Sequence, residues 1–272
     1  MDFQQLKLFA ERTESKMPVL FLGHGSPMNA IEENIFVKGF REIGKRLEKP
    51  KAILCISAHW ETYGTKLTAM KMPKTIHDFR GFPQSLFEVE YPAPGSPELA
   101  KLTQKLLHDS VELDHHWGLD HGAWSVIKHM YPEANVPVVQ MSLNRYKTPL
   151  EHLELAKDLK ELRHRGVLIV GSGNMVHNLG MIAWDRMDET FGFDWAQEAN
   201  TRMKTLLVEG DLQGLANYAR WGKSFEYAVP TPEHYLPLLY TIGLREKDDD
   251  LSFFNDYYLA GSLSMTSVLI GA

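Results

Sequence analysis

The stretch "VLFLGHGSPMN", residues 19–29, decides the fold reading, because a short apolar run ends there in a histidine held between two glycines. Such a run reads as a buried strand, and Gly23 and Gly25 let its exit loop adopt backbone angles and close approaches denied to other residues. Three further runs have the same character: "KAILCIS" (51–57), "VPVVQMSL" (136–143) and "GVLIVGS" (166–172). Near-continuous apolar runs mark strands covered on both faces, as in a largely parallel sheet. Helix-period segments lie between them. "SPELAKLTQKLLHDS" opens with Ser96 as N-cap and Pro97 in the first helical position. "TPLEHLELAKDLKELRHRG" offers a capping box from Thr148 and Glu151 and ends at Gly166. "FDWAQEANTRMKTLLVEG" and "TPEHYLPLLYTIG" follow, and the closing "GSLSMTSVLI" returns as a further strand. The alternation predicts an α/β fold: a single domain with a central, largely parallel or mixed sheet covered by helices on both faces. It spans residues 17–272 after an N-terminal leader segment, 1–16. No repeat or linker divides it, and "REKDDD" (245–250) reads as a solvated loop.

Composition narrows the partners. Hydrophobic content of 44% and charged content of 24% in 272 residues are globular values. The net charge of −6 argues against nucleic acid and anionic membranes and favours a small molecule. The single cysteine, Cys55, excludes an intrachain disulfide and any multi-cysteine zinc site. Inside "AILCIS" it reads as a buried, inert thiol, and its solitude fits a reducing compartment. With no signal-peptide core and no run of membrane-spanning length, the expected location is cytoplasmic. There is no phosphate loop, "GSGNMV" lacks the third glycine of a dinucleotide fingerprint, and neither G-x-S-x-G nor H-E-x-x-H occurs.

Twelve histidines are the unusual feature. His24, His59 and His177 each follow a different predicted strand, at the sheet edge where α/β folds collect ligands. Converging imidazoles suit iron, zinc, copper or nickel without any thiolate. In "PTPEHYLPLLY", Thr231 is the expected N-cap and Pro232 the first helical residue, which puts His234 in the first turn, where the helix dipole disfavours imidazolium. Glu233 beside it reads either as an acid complementing that dipole or as a carboxylate ligand. His121 in "WGLDHGAW" sits among Trp117, Asp120 and Trp124, a setting for an aromatic guest or for a capping histidine. His77 is a weaker candidate on the loop "TIHDFRGFP". His108, His129, His152 and His164 fall within helical patterns and read as surface residues; His115 and His116 have no assigned role. Trp60, Phe79, Phe82, Trp117, Trp124 and Tyr235 are the aromatic residues placed near the rim or in the core.

Taken in order, "LFLGHGSPMNA", "SAHW", "TIHDFRGFP", "YPAPGSPELA", "GLDHGAWSVI", "GSGNMVHNL" and "PTPEHYLPLLY" resemble the 4,5-DOPA extradiol dioxygenase group. These are single-chain relatives of the class III extradiol ring-cleavage dioxygenases, typified by the β subunit of protocatechuate 4,5-dioxygenase. The resemblance runs from about residue 17 to the C-terminus. It implies one divalent metal ion, Fe(II) for activity with Zn(II) as a fitting occupant of purified protein, held by His24, His59 and His234. His177 would be the acid–base histidine and a fourth ligand in the substrate-free state, and His121 a second catalytic residue contacting substrate. The reaction implied is cleavage of a catechol by O2 to a ring-opened semialdehyde. A zinc hydrolase on the same ligands and a non-catalytic binding relative are the alternatives.

Overall fold

The four apolar runs become the contiguous parallel centre of one sheet. The computed structural model describes residues 9–108, 110–187 and 189–272. Its strands are β1 (Val19–Gly23), β2 (Ala52–Thr62), β3 (Thr65–Thr68), β4 (Lys74–Thr75), β5 (Val111–Asp114), β6 (Gly118–Leu119), β7 (Val138–Asn144), β8 (Val167–Gly173), β9 (Leu251–Phe254), β10 (Tyr258–Leu259), β11 (Leu263–Ser264) and β12 (Ser267–Ile270). Eight of them form a mixed sheet in the order β5-β3-β7-β2-β8-β1-β12-β9. The pairs β7-β2, β2-β8 and β8-β1 are parallel, and β12 returns antiparallel beside β1. The predicted strands are thus the buried ones. The outer strands β3, β5 and β9 are short and only partly apolar, so they carry no strand signal in the sequence.

Alternate residues of the central strands feed two cores. Val19, Phe21, Leu54 and Ile169 face one, and Leu20, Leu22, Ile53 and Leu168 face the other. Among the described residues six helices have eight or more residues: α1 (Ile35–Arg46), α2 (Pro97–Leu106), α3 (His121–Met130), α4 (Pro149–Lys157), α5 (Asp194–Glu209) and α6 (Leu236–Gly243). α1 and α3 cover the second core; α2, α4, α5 and α6 cover the first. The expected caps form. Ser96 accepts from the Leu99 N–H, and Thr148 and Glu151 make the reciprocal capping box.

Several expectations need correction. The segment after Thr148 is not one helix, since α4 ends at Lys157 and a short helix, Lys160–Arg163, follows before Gly166 turns at φ +81°. The "REKDDD" loop is not wholly solvated: Asp249 is buried and clasps the buried Arg163 through bonds of 2.6 and 3.0 Å. His129 and His152 are buried rather than superficial, because each points inward to a partner, the Asn29 carbonyl at 2.7 Å and the Tyr240 hydroxyl at 2.8 Å. The thiol of Cys55 is buried as expected. Residues 1–8 of the N-terminal leader lie outside the described residues. Its later part packs on the domain, with Phe9 in the core and the Thr13 N–H donating to the His164 carbonyl. Among the described residues no helix is long and apolar enough to cross a membrane.

Candidate active site

Adjacency of β2, β8 and β1 brings three histidines to one end of the sheet. His24 leaves β1 directly, and its N–H is held by the Gly173 carbonyl at 3.0 Å. Gly25 turns away at φ +61°, and a Cβ on Gly23 would stand 2.6 Å from the Met265 carbonyl oxygen, so both glycines are needed for the close exit. His59 does not follow its strand but lies inside it. Pairing with β7 jumps from Ile56–Met141 to Glu61–Leu143, so residues 57–60 bulge, a device that re-aims side chains. His177 follows β8 and its N–H donates to the Ala228 carbonyl at 2.8 Å. His121 opens α3 behind its N-cap Asp120.

His234 corrects the helix expectation. α6 starts at Leu236, and residues 231–235 form a turn before it. The reason is Pro237, which lacks an N–H and is tolerated only in a first turn, so it sets the helix start. His234 is therefore neutral through burial rather than through a helix dipole. Its carbonyl accepts the Asn174 N–H at 2.9 Å, and a Cβ on Gly173 would sit 2.1 Å from that oxygen.

The rings meet in a cleft of about 300 Å3 lined by His24, His59, His121, His177 and His234. Ring centres of His24, His59 and His234 are separated by 5.0 Å (24–59), 5.3 Å (24–234) and 5.0 Å (59–234). The Nε2 atoms of His24 and His59 stand 3.2 Å apart. Two other spacings are shorter: His59 to His121 is 3.9 Å, and His177 stacks on His234 at 3.5 Å with planes 6° apart. Two groups of ligand atoms could hold a metal ion, His24 with His59 and His121, and His177 with Glu233 and His234.

Proton positions follow from the partners. The Ser172 hydroxyl donates to the Gly122 carbonyl, so at 2.9 Å it accepts from His24 Nδ1–H, leaving Nε2 with its lone pair. The Glu233 carboxylate, which also accepts from the Thr231 hydroxyl at 2.8 Å, takes the His234 Nδ1–H at 3.1 Å with the same result. Burial pushes His24 and His234 well below the usual 6.5, with mutual repulsion of the imidazoles adding to it. Burial likewise lowers His59 to about 3 and His177 to about 4. These rings are neutral donors at pH 7, the form that binds a metal. Asp120 is pushed up to about 6 by burial and then by the neighbouring Asp78 charge, while Ser57 donates to it at 2.7 Å.

Five of the singled-out histidines thus converge. His77 does not: its Nε2 bonds the Val89 carbonyl at 2.9 Å. Its neighbour Asp78, overlooked in the sequence, reaches into the cluster, with Oδ2 3.4 Å from His59 Nδ1 and 3.0 Å from His121 Nδ1. Of the six aromatic residues, Phe79 and Phe82 line the cleft. Trp60 stacks on Trp117, and Trp124 and Tyr235 are buried with their polar atoms on the Ile76 and Leu215 carbonyls. Leu179, Ile182, Trp184 and Met187 complete the apolar wall from a segment whose lack of periodicity left no signal.

A parallel-centred α/β sheet with imidazoles converging under an apolar wall makes a site suited to a metal ion and an aromatic guest. Residues 18–266 match the family described as the catalytic LigB subunit of aromatic ring-opening dioxygenase. The chain is 44% identical over 264 residues to a protein of Escherichia coli (strain K12) named 4,5-DOPA dioxygenase extradiol, covering 95% of this chain and 96% of that one. It is 37% identical over 256 residues to the Beta vulgaris protein of the same name, covering 91% and 94%. The crystal structure of an uncharacterized Escherichia coli K12 protein, 40% identical, matches with a TM-score of 0.82 over 94% of this chain and 100% of that one. The chain belongs to the LigB family and is an extradiol ring-cleavage dioxygenase.

Proposed function

We propose that the protein cleaves a catechol, DOPA-like or related, with O2 beside its hydroxyls to a ring-opened semialdehyde, using one Fe(II) held by His24, His59 and His234. The observation that carries the ligand set is the ring spacing. Imidazoles that offer nitrogen to one ion at about 2.1 Å have ring centres about 5 Å apart, and these three stand at 5.0–5.3 Å from one another. His177 stacks on His234 at 3.5 Å and His121 lies 3.9 Å from His59, each within ligand reach of its neighbour, so neither adds a separate corner to that triangle. That favours acid–base and substrate-contacting work for both. Glu233 acts on His234 Nδ1 rather than as a ligand.

A bound Fe(II) supplies the open coordination positions and electron relay that triplet O2 needs to react with a closed-shell ring. The chain does the rest. Phe79 and Phe82 line the cleft that would receive the aromatic ring, and Leu179, Ile182, Trp184 and Met187 add apolar surface to its mouth. His177, neutral and beside the cleft, takes a proton from a catechol hydroxyl and returns it as the ring opens. His121 orients the second hydroxyl. The substrate class rests on the relatives' names, which make L-DOPA the first catechol to test. A lone buried cysteine is consistent with a cytoplasmic location.

The test is anaerobic Fe(II) loading followed by oxygen uptake with a panel of catechols, recording the yellow semialdehyde. His24→Ala, His59→Ala and His234→Ala should each lose the metal and the turnover. Oxygen uptake surviving in any of them removes that residue from the ligand set.

A further inference from the structure

Asp78 follows β4 on the loop that also carries Phe79, and no step above uses it. Its Oδ1 accepts the backbone N–H of His121 at 2.8 Å. Its Oδ2 lies 3.0 Å from His121 Nδ1 and 3.4 Å from His59 Nδ1. Among the described residues neither Nδ1 makes an in-line hydrogen bond to Asp78, and at 3.0 Å and 3.4 Å this carboxylate is an acceptor within reach of both rings. The two rings are neighbours, tilted by 48°. Phe79, the next residue, meets the His121 ring edge-on at 5.6 Å, so one loop grips that imidazole from two directions.

We propose that Asp78 is a positioning residue: one carboxylate, lying against two imidazoles with different duties, sets the orientation and tautomer of both. The part concerning His59 rests on reading that residue as a metal ligand. An ionised carboxylate only accepts hydrogen bonds, so each Nδ1 facing it carries the proton and each Nε2 keeps its lone pair. On His59 that lone pair is what an ion requires. Ser172 and Glu233 do the same for His24 and His234, so all three ligand rings have Nδ1 turned to an acceptor. Carboxylate partners of this kind orient ligating imidazoles and raise their basicity. On His121 the consequence is different: its Nε2 accepts a hydrogen bond from a substrate hydroxyl rather than donating one. A shift of Asp78 would disturb metal binding and substrate contact together, although it touches neither.

The experiment is Asp78→Asn, which keeps an oxygen for the His121 N–H but places an N–H donor where Oδ2 stands. With circular dichroism and Tm near those of the parent, the metal dissociation constant should rise about 10–100-fold. In the metal-saturated protein, KM for the catechol should rise by a larger factor than kcat falls. Parental metal affinity and KM in a folded variant would overturn the proposal and leave Asp78 as an anchor for its loop. A wild-type measurement stands even if that variant does not fold. Long-range 1H–15N spectra of 15N-histidine protein, assigned with His59→Gln and His121→Gln, should show the Nδ1–H tautomer at both positions, and an Nε2–H tautomer at either overturns it. Parental metal affinity in His59→Gln would instead defeat the ligand reading, while the tautomer spectra still judge Asp78.

Discussion

At the scale of single residues, the site separates imidazoles by what stands behind them. His24, His59 and His234 each have Nδ1 turned to an acceptor, respectively Ser172, Asp78 and Glu233. His177 has none of these: it lies face-on against His234, and burial outweighs the opposing Glu233 charge to hold it near pH 4. A neutral ring that lines the cleft beside a bound catechol is placed to take up a proton. His177→Ala should therefore keep its metal while kcat falls about 10²–10⁴-fold, the range for lost acid–base catalysis. Metal analysis paired with steady-state oxygen uptake checks this, and unchanged turnover would remove the role.

Among the elements, two close approaches set the geometry. The turn before α6 rests on β8 only because Gly173 has no side chain, with the His234 carbonyl where a Cβ would be. Gly173→Ala should push that turn outward and weaken metal binding at least about 10-fold through His234, with a lower Tm from overpacking. Equilibrium dialysis with the metal and a melting curve read both effects; unaltered affinity would mean that the turn relaxes without moving His234. Far from the cleft, Arg163 in the short helix before β8 donates to the Met17 and Leu244 carbonyls and to Asp249. It ties the chain before β1 to the loop before β9. Both side chains are essentially inaccessible, and Lys16 joins them at 2.8 Å from Asp249. Asp249→Ala strands a buried guanidinium and should destabilise by about 3–5 kcal/mol, measured by urea denaturation. A loss under about 1 kcal/mol would show that the carbonyls and solvent suffice.

Across the whole molecule, six buried or half-buried histidines among the described residues have their ionisation pushed below the usual 6.5: His24, His59, His129, His152, His177 and His234. In the unfolded chain they protonate near 6.5; in the folded protein they resist, so between the two values the unfolded state binds more protons. Stability is therefore complete above about pH 6.5 and drains away as pH falls toward the folded values. His152, lowered to about 4 by burial and remote from the cleft, accounts alone for about 3 kcal/mol of this change. Urea midpoints measured from pH 7.5 down to 4.5 should fall steadily, and His152→Gln should flatten the slope. Parallel slopes for the two proteins would rule out that contribution.

The sequence by itself determined the four central strands, the caps at Ser96 and Thr148, and the five histidines that converge, because apolar runs, capping chemistry and strand-end imidazoles are local signals. Family membership was legible as well, through motifs short enough to survive without neighbours. The start of α6 is also a local matter, since Pro237 sets it against the Thr231 cap, but the bulge that carries His59 was not contained in the sequence, because it depends on what the strand pairs with. The burial of His129, His152 and Asp249 was hidden for the same reason. Only the tertiary structure brought Asp78 between two rings and set three imidazoles about 5 Å apart, because those spacings are made by strand adjacency and glycine contacts between residues far apart in the chain.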